Sequence, residues 1–103
     1  MSRVLIVDDE KMITDTLSSL IEMVLEYEVV TCNDPSELFD DGIVDNQTFD
    51  MVISDFMMPK KDGIEVLKAI KEIQPDVIPI LLTGYSDKQN AINSINEVGL
   101  YYY

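Results

Sequence analysis

Short, unbroken apolar runs alternate along this chain with stretches patterned for helices, and that alternation limits the possible folds more than any other feature. The first run, VLIV at positions 4–7, shows no polar alternation, as expected of a strand covered on both faces. Ile13, Leu17, Leu20, Ile21 and Val24 then recur at helical spacing and predict a helix with those residues on its buried face. Positions 29–32 read as a second strand. Asp34, Pro35 and Glu37 mark a helix start, with Asp34 as cap, Pro35 in the first turn and Glu37 completing a capping box; this short helix ends near Gly42.

The pattern continues through the second half. Positions 51–53 form a third strand, and Asp62 with Glu65 open a helix that buries Val66, Ile70 and Ile73. Positions 80–82 form a fourth strand, with Pro79 tolerated as its first residue. Ser86 and Gln89 cap a helix burying Ile92, Ile95 and Val98, and positions 100–103 begin a fifth strand. Strict βαβα order predicts a doubly wound parallel sheet with helices on both faces. At 103 residues, with no repeat or linker, the chain reads as one α/β domain, 1–103.

Twenty acidic residues face seven basic ones, for a net charge of −13. Such a surface repels nucleic acid and anionic lipid, so direct binding to either is not expected. The chain has no histidine, which removes Ser-His hydrolases, histidine metal sites and imidazole proton shuttles. Cys32 is the single cysteine and reads as a buried thiol. No apolar run approaches a membrane span, and the early acids Asp8 and Asp9 do not suit a signal peptide, so a cytoplasmic location is expected.

Parallel α/β sheets place ligands at the carboxyl ends of their strands. Three apolar runs end there in chemistry: Asp8-Asp9-Glu10, Ser54-Asp55 and Thr83-Gly84. With the first and third strands as neighbours, Asp8, Asp9 and Asp55 converge. Three close carboxylates stay ionised together only beside a cation, and an all-oxygen set with room for water suits Mg2+. A carboxylate next to that ion can attack an activated phosphorus and form an acyl phosphate. Thr83 offers the transferred group a hydroxyl donor, and Gly84 leaves room around it. Singly, each residue has a plainer reading: Asp8 or Asp9 as a helix cap, Asp55 as a turn residue before Pro59, Thr83 as a strand residue. Lys60 and Lys61 read as a solvated loop pair. No GxGxxG or P-loop motif occurs, and the acidic stretch 40–50 lacks EF-hand spacing.

VLIVDDE at 4–10, ISDFMMPKKDG at 53–63 and LLTGYSD at 81–87 resemble the receiver domain of bacterial two-component response regulators, over the whole chain. The resemblance implies the flavodoxin-like strand order 2-1-3-4-5 and phosphoryl transfer from a histidine kinase to an aspartate, in a domain that is not otherwise an enzyme. It implies Asp55 as acceptor, Asp8 and Asp9 as the acidic pair with Asp9 the more direct magnesium ligand, and the backbone carbonyl of Met57 as a further ligand. Thr83 matches the switch hydroxyl and Tyr103 the switch aromatic. The family's lysine three residues beyond that aromatic, and the final helix after it, have no counterpart within the 103 residues. The implied chain is therefore truncated in or just after the fifth strand, with self-association through uncovered apolar surface and an output domain or partner beyond residue 103. Two rivals are a receiver-like interaction module that takes no phosphate and a magnesium-dependent phosphatase. Met57 stands where such phosphatases carry a second aspartate, which counts against the latter.

Overall fold

The computed structural model describes residues 2–40, 42–55, 58, 63–82 and the backbone of 101–102. Its elements are β1 (Arg3–Val7), α1 (Lys11–Leu25), β2 (Glu28–Cys32), α2 (Pro35–Asp40), α3 (Ile43–Asn46), β3 (Met51–Asp55), α4 (Gly63–Ile73), β4 (Ile78–Leu82) and β5 (Tyr101–Tyr102). All pairings are parallel, in the order β2-β1-β3-β4-β5. The expected helix over 86–98 lies outside the described residues.

Side-chain alternation along the strands divides the core in two. Val4, Ile6 and Ile53 face α1 and meet Leu17 and Ile21. Leu5, Val7, Val52 and Leu81 face the other way, against Leu38, Val44, Ile64, Leu67 and Ile70 of α2, α3 and α4. Because each central strand is buried on both sides, it needs apolar residues at consecutive positions, which is why its run is unbroken. Cys32 is buried among the second group, and its thiol donates to the carbonyl of Asp34.

Two helical faces differ from the sequence pattern. In α1 the contact stripe runs through Thr14, Leu17 and Ile21, while Leu20 and Val24 are 52% and 69% exposed. These two sit on the flank of the stripe that touches β1 and β2, so their period-matched positions do not carry them into the core. In α4, Ile64 and Leu67 join Val66 and Ile70 inside, and Ile73 is 43% exposed at the helix's last turn.

Pro79 is the second residue of β4, not its first, and lies in register with Val52 inside the sheet. Donors alternate sides along a strand. Ile78 donates its N–H to Asp50 on the β3 side, so the nitrogen of Pro79 faces the opposite side. There the described pairing with β5 begins at Ile80 with Tyr101.

The helix α3 was not evident in the sequence. Gly42 enters it in the left-handed region at φ 74°, and Gln74 holds the segment that follows. The Gln74 amide nitrogen donates to the carbonyls of Val44 and Gln47 at 2.8 and 2.7 Å, and its oxygen accepts the N–H of Phe49 at 2.8 Å. At α2, Asp34 caps as expected, its carboxylate accepting the N–H and hydroxyl of Ser36 at 3.0 and 2.8 Å.

Candidate functional site

Because β1 and β3 are adjacent and parallel, their carboxyl ends finish side by side, with Val7 in register with Ser54. The residues that follow Val7 and Ser54 are therefore neighbours. Carboxylate oxygens of Asp8, Asp9 and Asp55 all lie within 4.8 Å of one another. Asp8 is buried, Asp55 half-buried and Asp9 exposed, so the cluster runs from the sheet rim outward to solvent. The sequence places these three together, and the structure does so as well. Met57, Thr83, Gly84 and Tyr103 lie outside the described residues.

Asp8 shows the electrostatic cost of the arrangement. Burial pushes its carboxyl above the usual carboxylate range. A hydrogen bond from the backbone N–H of Glu10, 2.9 Å from Oδ1, works against the rise. The charges of Asp9 and Glu10 and a hydrogen bond with Asp9 add to it. A cation among the three acids would offset each of these repulsions. The donor set fits a hard divalent ion: three carboxylate oxygens close together, with solvent access beside Asp9 for water or a substrate oxygen.

Two supporting residues were missed in the sequence. Gly63, first residue of α4, lies so close to β3 that a Cβ there would collide with the Asp55 carbonyl oxygen and sit 2.8 Å from Leu81 Cδ1. The Asp55 carbonyl also accepts the Ser54 hydroxyl at 3.0 Å. Asn33, just past β2, donates from Nδ2 to the carbonyl of Asp8 at 2.9 Å. The available signals were a glycine opening an apolar helix and an asparagine at the same sheet edge as the acids. Neither residue type distinguishes such support from an ordinary turn.

A family model for the response regulator receiver domain matches residues 4–103. The chain belongs to that family. This receiver domain is 32% identical over 100 residues to the hydrogenase transcriptional regulatory protein HoxA of Cupriavidus necator, a match over 97% of this chain and 20% of that protein. It thus spans about one fifth of the length of the first curated relatives it matches. Among solved structures, a response regulator receiver domain protein from Clostridium thermocellum superposes with a TM-score of 0.86 at 33% identity, over 99% of this chain and 80% of that one. The response regulator TrrA of Thermotoga maritima, solved in complex with Mg(2+)-BeF, gives a TM-score of 0.80 at 31% identity, over 99% and 85% of the two chains. Among the described residues, no helix is long and apolar enough to cross a membrane.

Proposed function

We propose that this receiver domain is a phosphorylation-controlled switch in which Asp55 accepts a phosphoryl group from a phosphohistidine of a histidine kinase. The observation that carries the reading is the convergence of the Asp8, Asp9 and Asp55 carboxylates within 4.8 Å at the carboxyl edge of β1 and β3. One oxygen of Asp55 forms the new P–O bond while the P–N bond to the donor imidazole breaks. The departing nitrogen keeps the electron pair and takes a proton from solvent. Asp8, Asp9, Asp55 and the Met57 carbonyl are the residues that would hold Mg2+. When bound, the ion supplies positive charge to the phosphoryl oxygens and relieves the repulsion among the acids. Asp9, at the solvent side, acts as a direct ligand, whereas buried Asp8 braces the cluster from within.

Thr83 then donates its hydroxyl to the transferred group, with Gly84 leaving space, and Tyr103 follows as the switch aromatic. The change shifts a pre-existing conformational equilibrium that is read by an output domain or partner beyond residue 103. The domain works in the cytoplasm and binds no nucleic acid itself, in keeping with its −13 charge. Its only further chemistry is hydrolysis of its own acyl phosphate.

Incubation with Mg2+ and acetyl phosphate, followed by intact mass spectrometry, tests the reading. One phosphoryl group should appear on the wild-type chain and none on Asp55→Asn. Equal labelling of the variant would overturn the assignment. Absence of labelling on the wild-type protein, alone and within its full-length form, would leave an interaction module that takes no phosphate.

A further inference from the structure

The acidic pair is held by a residue that carries no charge and touches neither carboxylate. The N–H of Asp8 donates to the carbonyl of Cys32 at 3.1 Å, and its own carbonyl accepts Asn33 Nδ2 at 2.9 Å. That same nitrogen donates its second hydrogen to Thr14 Oγ1 at 3.0 Å, and the Thr14 hydroxyl donates onward to the carbonyl of Lys11 at 3.0 Å. Thr14 is fully buried. A backbone carbonyl can only accept, so the nitrogen end of the Asn33 amide must face Asp8. One side chain at the end of β2 therefore joins the peptide linking Asp8 to Asp9 with the first turn of α1.

This linkage acts on the spacing of the acids. Two adjacent carboxylates near a third repel, and without restraint their backbone turns to separate them. Side chains that repel cannot hold themselves at a spacing that one cation spans; the backbone has to do it. The Asp8 carbonyl belongs to the same planar peptide unit as the Asp9 nitrogen, so holding that oxygen holds the plane that carries both Cα atoms and narrows the directions from which the two side chains leave.

We propose that Asn33 is a positioning residue for magnesium binding, its amide orienting the Asp8–Asp9 peptide so that both carboxylates face Asp55. The proposal rests on the reading of Asp8, Asp9 and Asp55 as a magnesium site. Partners that orient metal ligands from behind change affinity by about 10- to 100-fold when removed.

Calorimetric titration of the metal-free chain with MgCl2 tests it, with circular dichroism at the titration temperature checking that each variant is folded. Asn33→Ala should weaken Mg2+ binding by roughly 10-fold. Asn33→Leu, which keeps most of the side-chain volume, should weaken it equally and serves if the alanine variant does not fold. Thr14→Val loses the other hydrogen bond of Asn33 but keeps the one to Asp8, and should alter affinity by less than about twofold, whatever it does to the melting temperature. Wild-type affinity in a folded Asn33→Ala or Asn33→Leu protein would overturn the proposal, and so would a loss in Thr14→Val as large as theirs. Failure of the wild-type chain to bind Mg2+ would overturn the magnesium reading and this proposal together.

Discussion

The carbonyl oxygen of Asp55 lies against the Cα of Gly63, at a spacing that leaves no room for even one methyl group. Helix α4 thus rests directly on the end of β3, with the Leu81 side chain closing the same gap. Gly63→Ala should force the helix or the strand end to move, at a cost of about 1–3 kcal/mol. Urea unfolding measures that cost. Because the strand end carries Asp55, labelling by acetyl phosphate should slow as well; an unchanged rate would show that the acid keeps its place when the helix shifts.

Asp8 contributes to the pH dependence of the metal-free protein in the reverse of the usual carboxylate sense. Its raised pKa means that the folded state holds this proton to higher pH than the unfolded chain does. Between the two values the folded state binds more protons, so stability falls as pH rises through that window, and the whole penalty applies above it. Asp8→Asn should therefore be more stable than wild type at neutral pH in a chelator, with the gap closing as pH falls into the ordinary carboxylate range. Thermal melts between about pH 4 and 8 check this. A gap that widens on acidification would contradict the burial-driven shift.

Gln74 satisfies three backbone groups that no ladder among the described residues reaches: the carbonyls of Val44 and Gln47 and the N–H of Phe49. Leaving such groups without partners costs roughly 1–3 kcal/mol each where water cannot enter. The segment around Gln74 is half-buried, so Gln74→Leu should lose about 2–4 kcal/mol in total. Hydrogen exchange at the Phe49 amide should speed up more than at amides of β1. Equal protection in the variant would mean that water replaces the side chain at little cost.

Helix α1 ends on Glu26, a non-glycine residue in the left-handed region at φ 57°, whose N–H donates to the carbonyl of Glu22. The last turn of α1 has no basic residue, so this acid also sits against the negative end of the helix dipole. Glu26→Gly should relieve both strains and stabilise the chain by about 0.5–1 kcal/mol. A rise in melting temperature of roughly 2–8 °C is expected. A fall would show that the glutamate side chain makes a compensating contact.

Much of this was legible in the residues. Runs such as VLIV at 4–7 read as strands buried on both faces, and once β1 lies beside β3 the meeting of Asp8, Asp9 and Asp55 follows from topology. Exposure of individual helical positions was less legible. Leu20, Val24 and Ile73 share the period of their buried neighbours, and period alone does not tell how wide a stripe the sheet covers. The supports were least legible. The role of Asn33 depends on a carbonyl 25 positions away, and that of Gly63 on a distance between two backbones; neither leaves a pattern in the letters.

Pro79 has a consequence for how this protein survives crowding. Among the described residues, β5 pairs with β4 at Ile80 with Tyr101 and Leu81 with Tyr102. If β5 lifts away, β4 becomes an open rim, the kind of surface on which foreign chains add and fibrils begin. A strand arriving there would need a donor at position 79 to extend its ladder, and the proline ring offers none. A proline whose nitrogen faces away from β3 would thus act as a gatekeeper against templated growth, and exchanging it for valine should shorten the lag before aggregation.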